Sequence, residues 1–204
     1  GDWNGDGIDT IGGYNNALGQ FQLRNTNDTG SADISVIFGA GNQIPIAGDW
    51  DGDGIDTIGV FDPASMAFFL KNSFTKGGAD IAFNFGVAGQ GAIPIAGDWN
   101  GDGIDTIGLY IPSTKTYQLR NSNSNGAADL QFVFNVTSGG GYFRPVAGDW
   151  DGDGVDTIGV VVRGFIGTAT RFALRNSNSS GPDDISVSFG TTGDLPVFGN
   201  FDGR

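Results

Sequence analysis

The chain has 204 residues, a formal net charge of −13 and neither His nor Cys. All of its acidic residues are Asp, which prefers turns and metal-binding loops, and the helix former Glu is absent. The negative charge excludes binding to nucleic acid by charge attraction, and no apolar run is long enough to insert into a membrane. Without His, Cys or Glu the usual catalytic bases and nucleophiles are missing, so we predict that the protein is not an enzyme.

A short acidic phrase occurs four times at intervals of about fifty residues, a period typical of repeat proteins. GDWNGDGIDTIG begins at Gly1 and Gly97, and two close variants, GDWDGDGIDTIG and GDWDGDGVDTIG, begin at Gly48 and Gly148. A degenerate copy, GNFDGR, begins at Gly199. The chain is therefore predicted to be one repeat domain. Its extent is 1–204, with repeats over about 1–47, 48–96, 97–147 and 148–198 and a partial fifth repeat over 199–204.

Each repeat contains the same predicted elements in the same order, and the third repeat illustrates them. AIPIAGDW (92–99) reads as a strand that leads into the acidic loop, and DTIGLYIP (105–112), TYQLRNS (116–122) and DLQFVFN (129–135) follow as strands. None has the apolar period of a helix. Four short antiparallel strands in a repeat of this length are typical of a propeller blade. The predicted fold is all-β, a β-propeller of four blades with four antiparallel strands each.

The two chain ends are predicted to complete the first blade. The first repeat lacks the strand that precedes every other GDW phrase, whereas LPVFGNF (195–201) has the pattern of that strand with no blade of its own. Pairing of this strand with DTIGGY (9–14) would close the ring and remove an exposed sheet edge. The alternative is an open or head-to-tail array of the same blades, in which the strand pairs with another chain.

The acidic phrase has the spacing of a loop that wraps a hard cation. In the second repeat Asp49, Asp51 and Asp53 alternate along the loop, Gly54 permits a sharp turn, and Ile55 can offer its carbonyl oxygen. An all-oxygen ligand set favours Ca²⁺ over a transition metal, and the irregular loop suits Ca²⁺ better than Mg²⁺. An EF-hand is excluded, because its closing Glu and flanking helices are missing. The alternative is a metal-free Asn/Asp-Gly turn.

GDWDGDGIDTIGVF, preceded by a short strand such as IPIA, resembles the FG-GAP or VCBS type of repeat. Such repeats form the β-propeller of integrin α subunits and occur in many bacterial secreted proteins. The resemblance covers nearly the whole chain and implies a propeller with about four structural Ca²⁺ ions, each in the loop between the first two strands of a blade. The family usually has Asp at loop position 9, whereas this chain has Asp at position 8 and Thr at position 9.

The resemblance also implies the ligands, with Asp at position 8 as the last one and the following Thr as its alternative. In the first two loops they are Asp2, Asn4, Asp6, the Ile8 carbonyl and Asp9, then Asp49, Asp51, Asp53, the Ile55 carbonyl and Asp56. In the other two they are Asp98, Asn100, Asp102, the Ile104 carbonyl and Asp105, then Asp149, Asp151, Asp153, the Val155 carbonyl and Asp156. The alternatives are Thr10, Thr57, Thr106 and Thr157. No metal is expected in the partial fifth copy, because Arg204 stands at its position 5.

Three further residue types recur once per repeat. The Trp after the first loop Asp is expected to pack between blades, with stacking on a sugar as the alternative. A basic residue at the end of the third strand is expected on a solvated outer edge, and an Asp before the fourth strand is expected to accept hydrogen bonds in a turn. They are Trp3, Trp50, Trp99 and Trp150; Arg24, Lys71, Arg120 and Arg175; and Asp33, Asp80, Asp129 and Asp184.

The predicted function is that of a secreted or cell-surface structural and interaction module, adhesive or filament-forming, held rigid by calcium. Extracellular calcium is millimolar, so even weak loops would be filled there. The expected partner is a protein or glycan at the cell surface, or another copy of the chain in a head-to-tail assembly. The alternative is a carbohydrate-binding propeller, a lectin, because the turns after the third strands, such as RNTNDTG and RNSNSNG, are polar.

Overall fold

A computed structural model describes residues 1–136, 142–163, 169–191 and 199. Within these residues fifteen β-strands form four antiparallel sheets, and the sheets are the blades of a four-bladed β-propeller, as predicted. Neighbouring strands within each blade follow one another in the chain, so every contact within a sheet is local in sequence. Within the described ranges, no helix has the length and apolar character needed to cross a membrane.

The strands of blades 2, 3 and 4 agree with the four segments predicted for each repeat, whereas blade 1 has three described strands and its predicted strand at 9–14 begins only at Gly12. Blade 1 contains β1 (Gly12–Asn15), β2 (Gln20–Leu23) and β3 (Ile34–Ile37). Blade 2 contains β4 (Ile44–Gly48), β5 (Thr57–Asp62), β6 (Ala67–Leu70) and β7 (Ile81–Asn84). Blade 3 contains β8 (Ile93–Gly97), β9 (Thr106–Ile111), β10 (Thr116–Leu119) and β11 (Leu130–Val133). Blade 4 contains β12 (Tyr142–Gly148), β13 (Thr157–Arg163), β14 (Thr170–Leu174) and β15 (Ile185–Phe189).

The predicted closing strand, 195–201, lies outside the described residues except for Gly199, so its pairing with residues 9–14 stays a prediction. Gly199 itself lies against Asp9, because a Cβ built on this glycine would be 2.8 Å from Oδ2 of Asp9. Gly48 lies equally close to Asp105 of the next repeat, because a Cβ built on Gly48 would be 2.7 Å from Oδ2 of Asp105. The partial fifth copy therefore begins beside loop 1, much as each complete loop begins beside the next one.

The apolar core lies mainly between consecutive blades. We call the side of a blade that packs on the next blade in the chain its front face, and the opposite side its rear face. Val36 and Phe38, from the front of blade 1, form one buried cluster with Ile58 and Val60, from the rear of blade 2. Blades 2 and 3, and blades 3 and 4, share clusters of the same kind. Three of the four recurrent tryptophans belong to these clusters, which confirms the predicted packing role for Trp3, Trp50 and Trp99.

The recurrent basic residue is buried in blades 2, 3 and 4 and partly buried in blade 1, so its predicted position on a solvated edge is wrong. Lys71 and Arg120 are almost fully buried at the end of the third strand. Nη1 of Arg120 donates to the carbonyl of Ala127 and lies 3.2 Å from Oδ2 of Asp129. Asp129 also accepts the N–H of Asn121 at 2.8 Å, which confirms the predicted turn role of this Asp. The turn after the third strand folds back over the end of that strand. The basic side chain is buried there because it donates hydrogen bonds to backbone carbonyl groups of the turn.

Candidate metal centre

The first Asp of each acidic loop organises the turn by accepting backbone hydrogen bonds. In loop 2, Oδ1 of Asp49 accepts the N–H groups of Gly52 and Asp53 at 2.8 and 3.2 Å, and Oδ2 accepts that of Gly54 at 2.8 Å. Oδ1 of Asp53 accepts the N–H of Ile55 at 2.9 Å. Gly52 and Gly54 have φ angles of 75° and 84°, which other residues adopt only with strain. The D-x-D-x-D-G spacing therefore builds a tight loop with its carboxylates on one side.

Two of the four loops bring three carboxylates together. One oxygen from each Asp lies within 4.8 Å of the others in both groups. Two oxygens that share a Ca²⁺ ion at about 2.3–2.6 Å each are separated by no more than about 5 Å, so this spacing fits a common ion. Most of these side chains are exposed, so an ion could reach them from solvent. The two groups are Asp49, Asp51 and Asp53, and Asp149, Asp151 and Asp153.

The other two loops have Asn in place of the middle Asp and hold two carboxylates in the same positions. Nδ2 of Asn4 donates to Oδ2 of Asp6 at 3.0 Å, and Nδ2 of Asn100 donates to Oδ2 of Asp102 at 2.9 Å. The neutral amide therefore supplies a hydrogen-bond donor where loops 2 and 4 have a third negative charge. In all four loops the N–H of the position 7 residue donates to the position 5 carboxylate at 2.9 to 3.0 Å. That its carbonyl binds a metal stays a prediction.

The carboxylates of loop 2 perturb one another. Partial burial raises the pKa of Asp51, and the negative charges of Asp53 and Asp49 raise it further. In loop 4 burial would raise the pKa of Asp149, but the N–H groups of Gly154 and Gly152 hold it below its usual value. Backbone N–H groups of the loop thus favour the charged form of the Asp at position 1. Burial and the neighbouring carboxylates disfavour the charged form of the Asp at position 3.

The Asp at loop position 8 joins its loop to the loop before it. Oδ2 of Asp105 accepts the N–H of Asp49 at 2.9 Å, and the N–H of Asp105 donates to the carbonyl of Asp49 at 2.7 Å. The same pair of bonds joins Asp56 to Asp2, and equivalent bonds join the third and fourth loops. These bonds were not predicted from the sequence, although Asp recurs at position 8 of all four loops. The position 8 residue lies outside both three-carboxylate groups, and its role as a ligand stays a prediction.

The position 8 carboxylates meet at the centre of the propeller. They line one cavity of about 620 Å³ together with Gly1, Gly48, Gly148 and Gly199. Burial raises the pKa of Asp105 to about 8 and that of Asp156 to about 6, and neighbouring carboxylates add to both shifts. Burial also raises the pKa of Asp56. Because their pKa values are raised, the carboxyl groups of Asp56, Asp105 and Asp156 bind a proton more readily than ordinary carboxyl groups do. The four residues are Asp9, Asp56, Asp105 and Asp156.

The Thr at loop position 9 is buried and links two strands of its blade through hydrogen bonds to backbone carbonyl groups. Oγ1 of Thr57 donates to the carbonyl of Lys71 at 2.6 Å and lies 3.4 Å from the carbonyl of Gly48. Thr106 makes the equivalent bond to the carbonyl of Arg120 at 2.7 Å. The hydroxyl thus already has backbone partners, and its role as an alternative ligand remains a prediction. The partial fifth loop, with Arg204, lies outside the described residues.

Comparisons with known proteins do not extend the description of this site. The chain matches no protein-family model, no curated protein and no solved structure. The resemblance to FG-GAP and VCBS repeats therefore rests on the four acidic phrases and remains a hypothesis. The site itself consists of tight loops, two with three clustered carboxylates, arranged around the centre of a four-bladed β-propeller.

Proposed function

We propose that this protein is a non-catalytic structural and interaction module, stabilised by calcium and working outside the cell or at its surface. The observation that carries the proposal is the pair of three-carboxylate groups, each with its oxygens within 4.8 Å of one another. Such a group repels itself when empty, so a bound cation would remove a cost to folding as well as add contacts. The FG-GAP or VCBS relationship is part of this proposal.

Calcium suits these loops better than other common cations. In loop 2 the carboxylates of Asp49, Asp51 and Asp53 would hold the ion, with the carbonyl of Ile55 as a further oxygen. Hard oxygen ligands in an irregular loop fit Ca²⁺, whereas Mg²⁺ requires a near-octahedral arrangement. Bound calcium would supply positive charge to the loop, and the backbone bonds to Asp49 would keep that carboxylate in place.

A role outside the cell follows from the calcium concentration there. Loops with dissociation constants of about 10⁻⁴–10⁻³ M are filled in extracellular fluid and largely empty in the cytosol. With loops 1 and 3 also counted, the chain would bind about four ions, all of them structural. The partner would be a protein or a glycan presented at a cell surface, or a second copy of the chain.

Calorimetric titration of the metal-free protein with CaCl₂ tests the proposal directly. Wild type should bind about four ions, and the double variant Asp51→Ala/Asp151→Ala should lose about two of them. Asp62→Asn, which changes a carboxylate outside the acidic loops, is the matched control and should bind as wild type does. The proposal fails if wild type shows no calcium binding, or if the double variant binds as many ions as the control.

The alternative function, a lectin, makes a different prediction. Trp3, Trp50 and Trp99 are buried in the blade clusters, so they offer no face on which a sugar could stack. Sugar binding would then have to use the half-buried Trp150 or the polar turns after the third strands. A glycan array probed with the calcium-loaded protein separates the two proposals, because saturable binding to a defined glycan would favour the lectin.

A further inference from the structure

Consecutive acidic loops are joined by backbone hydrogen bonds between position 1 of one loop and position 8 of the next. The N–H of Asp49 in loop 2 donates to Oδ2 of Asp105 in loop 3 at 2.9 Å, and the carbonyl of Asp49 accepts the N–H of Asp105 at 2.7 Å. Equivalent pairs of bonds join loop 1 to loop 2 and loop 3 to loop 4. Two expected calcium ligands in neighbouring loops therefore cannot move independently of each other.

A second contact joins the same loops through the residue at position 7. A Cβ built on Gly52, at position 4 of loop 2, would lie 3.1 Å from Cγ1 of Ile104 in loop 3. The glycines at position 4 of loops 1 and 3 lie at the same distance from the position 7 side chain of the following loop. The end of each loop that would close around an ion thus rests on the turn of the loop before it.

An ion in one loop should therefore order the loop before it. The three carboxylates of loop 2 repel one another while the loop is empty, which opposes the closed arrangement. An ion in loop 3 would fix positions 7 and 8 of that loop, and their contacts with Asp49 and Gly52 would carry the order to loop 2. A second ion would then enter a loop that is already partly ordered, which produces positive cooperativity.

Charge does not oppose this coupling, because an ion leaves its loop without net positive charge. Loops 1 and 3 have carboxylates at positions 1 and 5, and loops 2 and 4 have a third at position 3. These groups balance or exceed the charge of Ca²⁺ even before position 8 is counted. Two filled neighbouring loops therefore do not repel each other as two bare ions would.

We propose that consecutive loops bind calcium cooperatively, through the contacts that positions 7 and 8 of one loop make with positions 4 and 1 of the loop before it. This inference rests on the proposed function, because it concerns how the same loops take up calcium. Cooperative filling would make the module rigid over a narrow range of calcium concentration, such as a secreted protein crosses when it leaves the cell.

Hydrogen exchange of the loop peptides, followed by mass spectrometry while CaCl₂ is added to the metal-free protein, measures each loop separately. Asp151→Ala removes an exposed carboxylate of loop 4 and leaves the sequence of loop 3 unchanged. The calcium concentration that half-protects loop 3 should rise by at least about fivefold in this variant. That of loop 2 should rise less, because hydrogen bonds among the described residues link loop 2 to loop 4 only through loop 3.

A second variant tests the contact itself. Val155→Ala keeps every carboxylate of loop 4 and removes the side chain whose Cγ2 would lie 3.1 Å from a Cβ on Gly101. It should also raise the calcium concentration that half-protects loop 3. Val87→Ala, which shortens an exposed apolar side chain in the turn after β7, is the matched control and should leave loop 3 as in wild type.

Measurements without calcium separate coupling through the ion from a loss of structure. In excess EDTA, loop 3 should exchange at the same rate in Asp151→Ala and in wild type, because this variant changes only the binding of an ion to loop 4. Unchanged circular dichroism in excess calcium establishes that each variant folds.

The two proposals fail by different results. If wild type binds calcium and loop 3 is half-protected at the same concentration in Asp151→Ala, the cooperativity is overturned and the calcium proposal stands. A faster exchange of loop 3 in EDTA in that variant also overturns the cooperativity, since the loops would then be linked by structure alone. If no loop of wild type is protected by calcium, both proposals are overturned.

Discussion

At the scale of single residues, Asp has a different role at each of three positions of the acidic loop. Asp at position 1 accepts backbone N–H groups and shapes the turn, as Asp49 does. Asp at position 3 adds charge to the cluster, and Asn replaces it in loops 1 and 3. Asp at position 8 points to the preceding loop, as Asp105 does. Hydrogen-bond partners, more than residue type, therefore decide what each carboxylate contributes.

Loss of the position 1 carboxylate should destabilise the protein even without metal. Asp49→Ala removes the acceptor of the exposed N–H groups of Gly52 and Gly54, at a cost of about 0.5–2 kcal/mol, as for the loss of a capping side chain. Asp51→Asn copies the residue found in loops 1 and 3 and should cost less than about 0.5 kcal/mol. Urea unfolding in excess EDTA measures both. Equal losses in the two variants would contradict the turn-forming role of Asp49.

The central carboxylates should make the metal-free protein less stable as pH rises. The pKa of Asp105 in the folded protein is about 8, against an ordinary value of 3.8, so the folded state holds this proton more tightly than the unfolded chain. Its contribution is complete below about pH 4 and is lost as pH approaches 8. Asp105→Asn stays neutral and keeps an oxygen for the N–H of Asp49. The free energy of unfolding of the variant minus that of the wild type should therefore increase from pH 4 to 8. A difference that does not change with pH would contradict this prediction.

At the scale of structural elements, a blade depends on the cation at the end of its third strand and, in blades 1, 2 and 3, on the blade that follows it. The cation connects the end of the third strand to the next turn, as Arg120 does through Ala127 and Asp129. The following blade covers the apolar residues of the fourth strand, as Ile58 and Val60 do for blade 1. Isolated blades would leave this second surface exposed, so stability is shared between neighbours.

The buried cation should tolerate exchange of Arg for Lys but not its removal. Arg120→Met leaves the carbonyl of Ala127 without a donor and should cost about 1–3 kcal/mol, because the partner Asp129 is half-exposed and partly screened. Arg120→Lys should cost less than about 1 kcal/mol, since Lys71 occupies the same place in blade 2. Chemical denaturation measures both variants, and a tolerated Met would refute the structural role of the cation.

Two isoleucines at the same place in their repeats should respond very differently to truncation. Ile58→Ala removes a fully buried side chain between blades 1 and 2 and should cost about 2–5 kcal/mol. Ile11→Ala should cost less than about 0.5 kcal/mol, because Ile11 is half-exposed. Thermal unfolding at low protein concentration, where copies do not meet, is the appropriate measurement. A large loss for Ile11→Ala would mean that blade 4 or another segment covers this residue in solution.

At the scale of the whole molecule, calcium should raise the melting temperature of all four blades together. A ligand that binds only the native state adds about 2.7 kcal/mol per site at one hundred times its dissociation constant. For a chain of this size that corresponds to roughly 5–10 °C per filled site. Excess EDTA should lower the melting temperature by this amount or more, and added Mg²⁺ should restore little of it. A melting curve that EDTA leaves unchanged would refute calcium stabilisation.

Local regularity made the blades and loops predictable. Each four-strand segment alternates small, β-branched and aromatic residues between turn formers, and its partners lie in the same repeat. The clustering of Asp49, Asp51 and Asp53 was predictable for the same reason, since a tight glycine turn brings alternate side chains together. The burial of Arg120 was not, because a run of Ser and Asn such as NSNSN gives no sign that its carbonyl groups fold back over the strand end.

The sequence by itself determined the number of blades, their strands and the acidic loops, because these depend on contacts within about fifty residues that recur four times. Only the tertiary structure decided what happens where blades meet. It directs Asp105 to Asp49 in the preceding loop, and it leaves Ile11 and Phe189 exposed while it buries their equivalents. The physical reason is that similar local sequences have similar local structure, whereas the burial of a residue depends on whether a neighbouring blade packs on its face of the sheet.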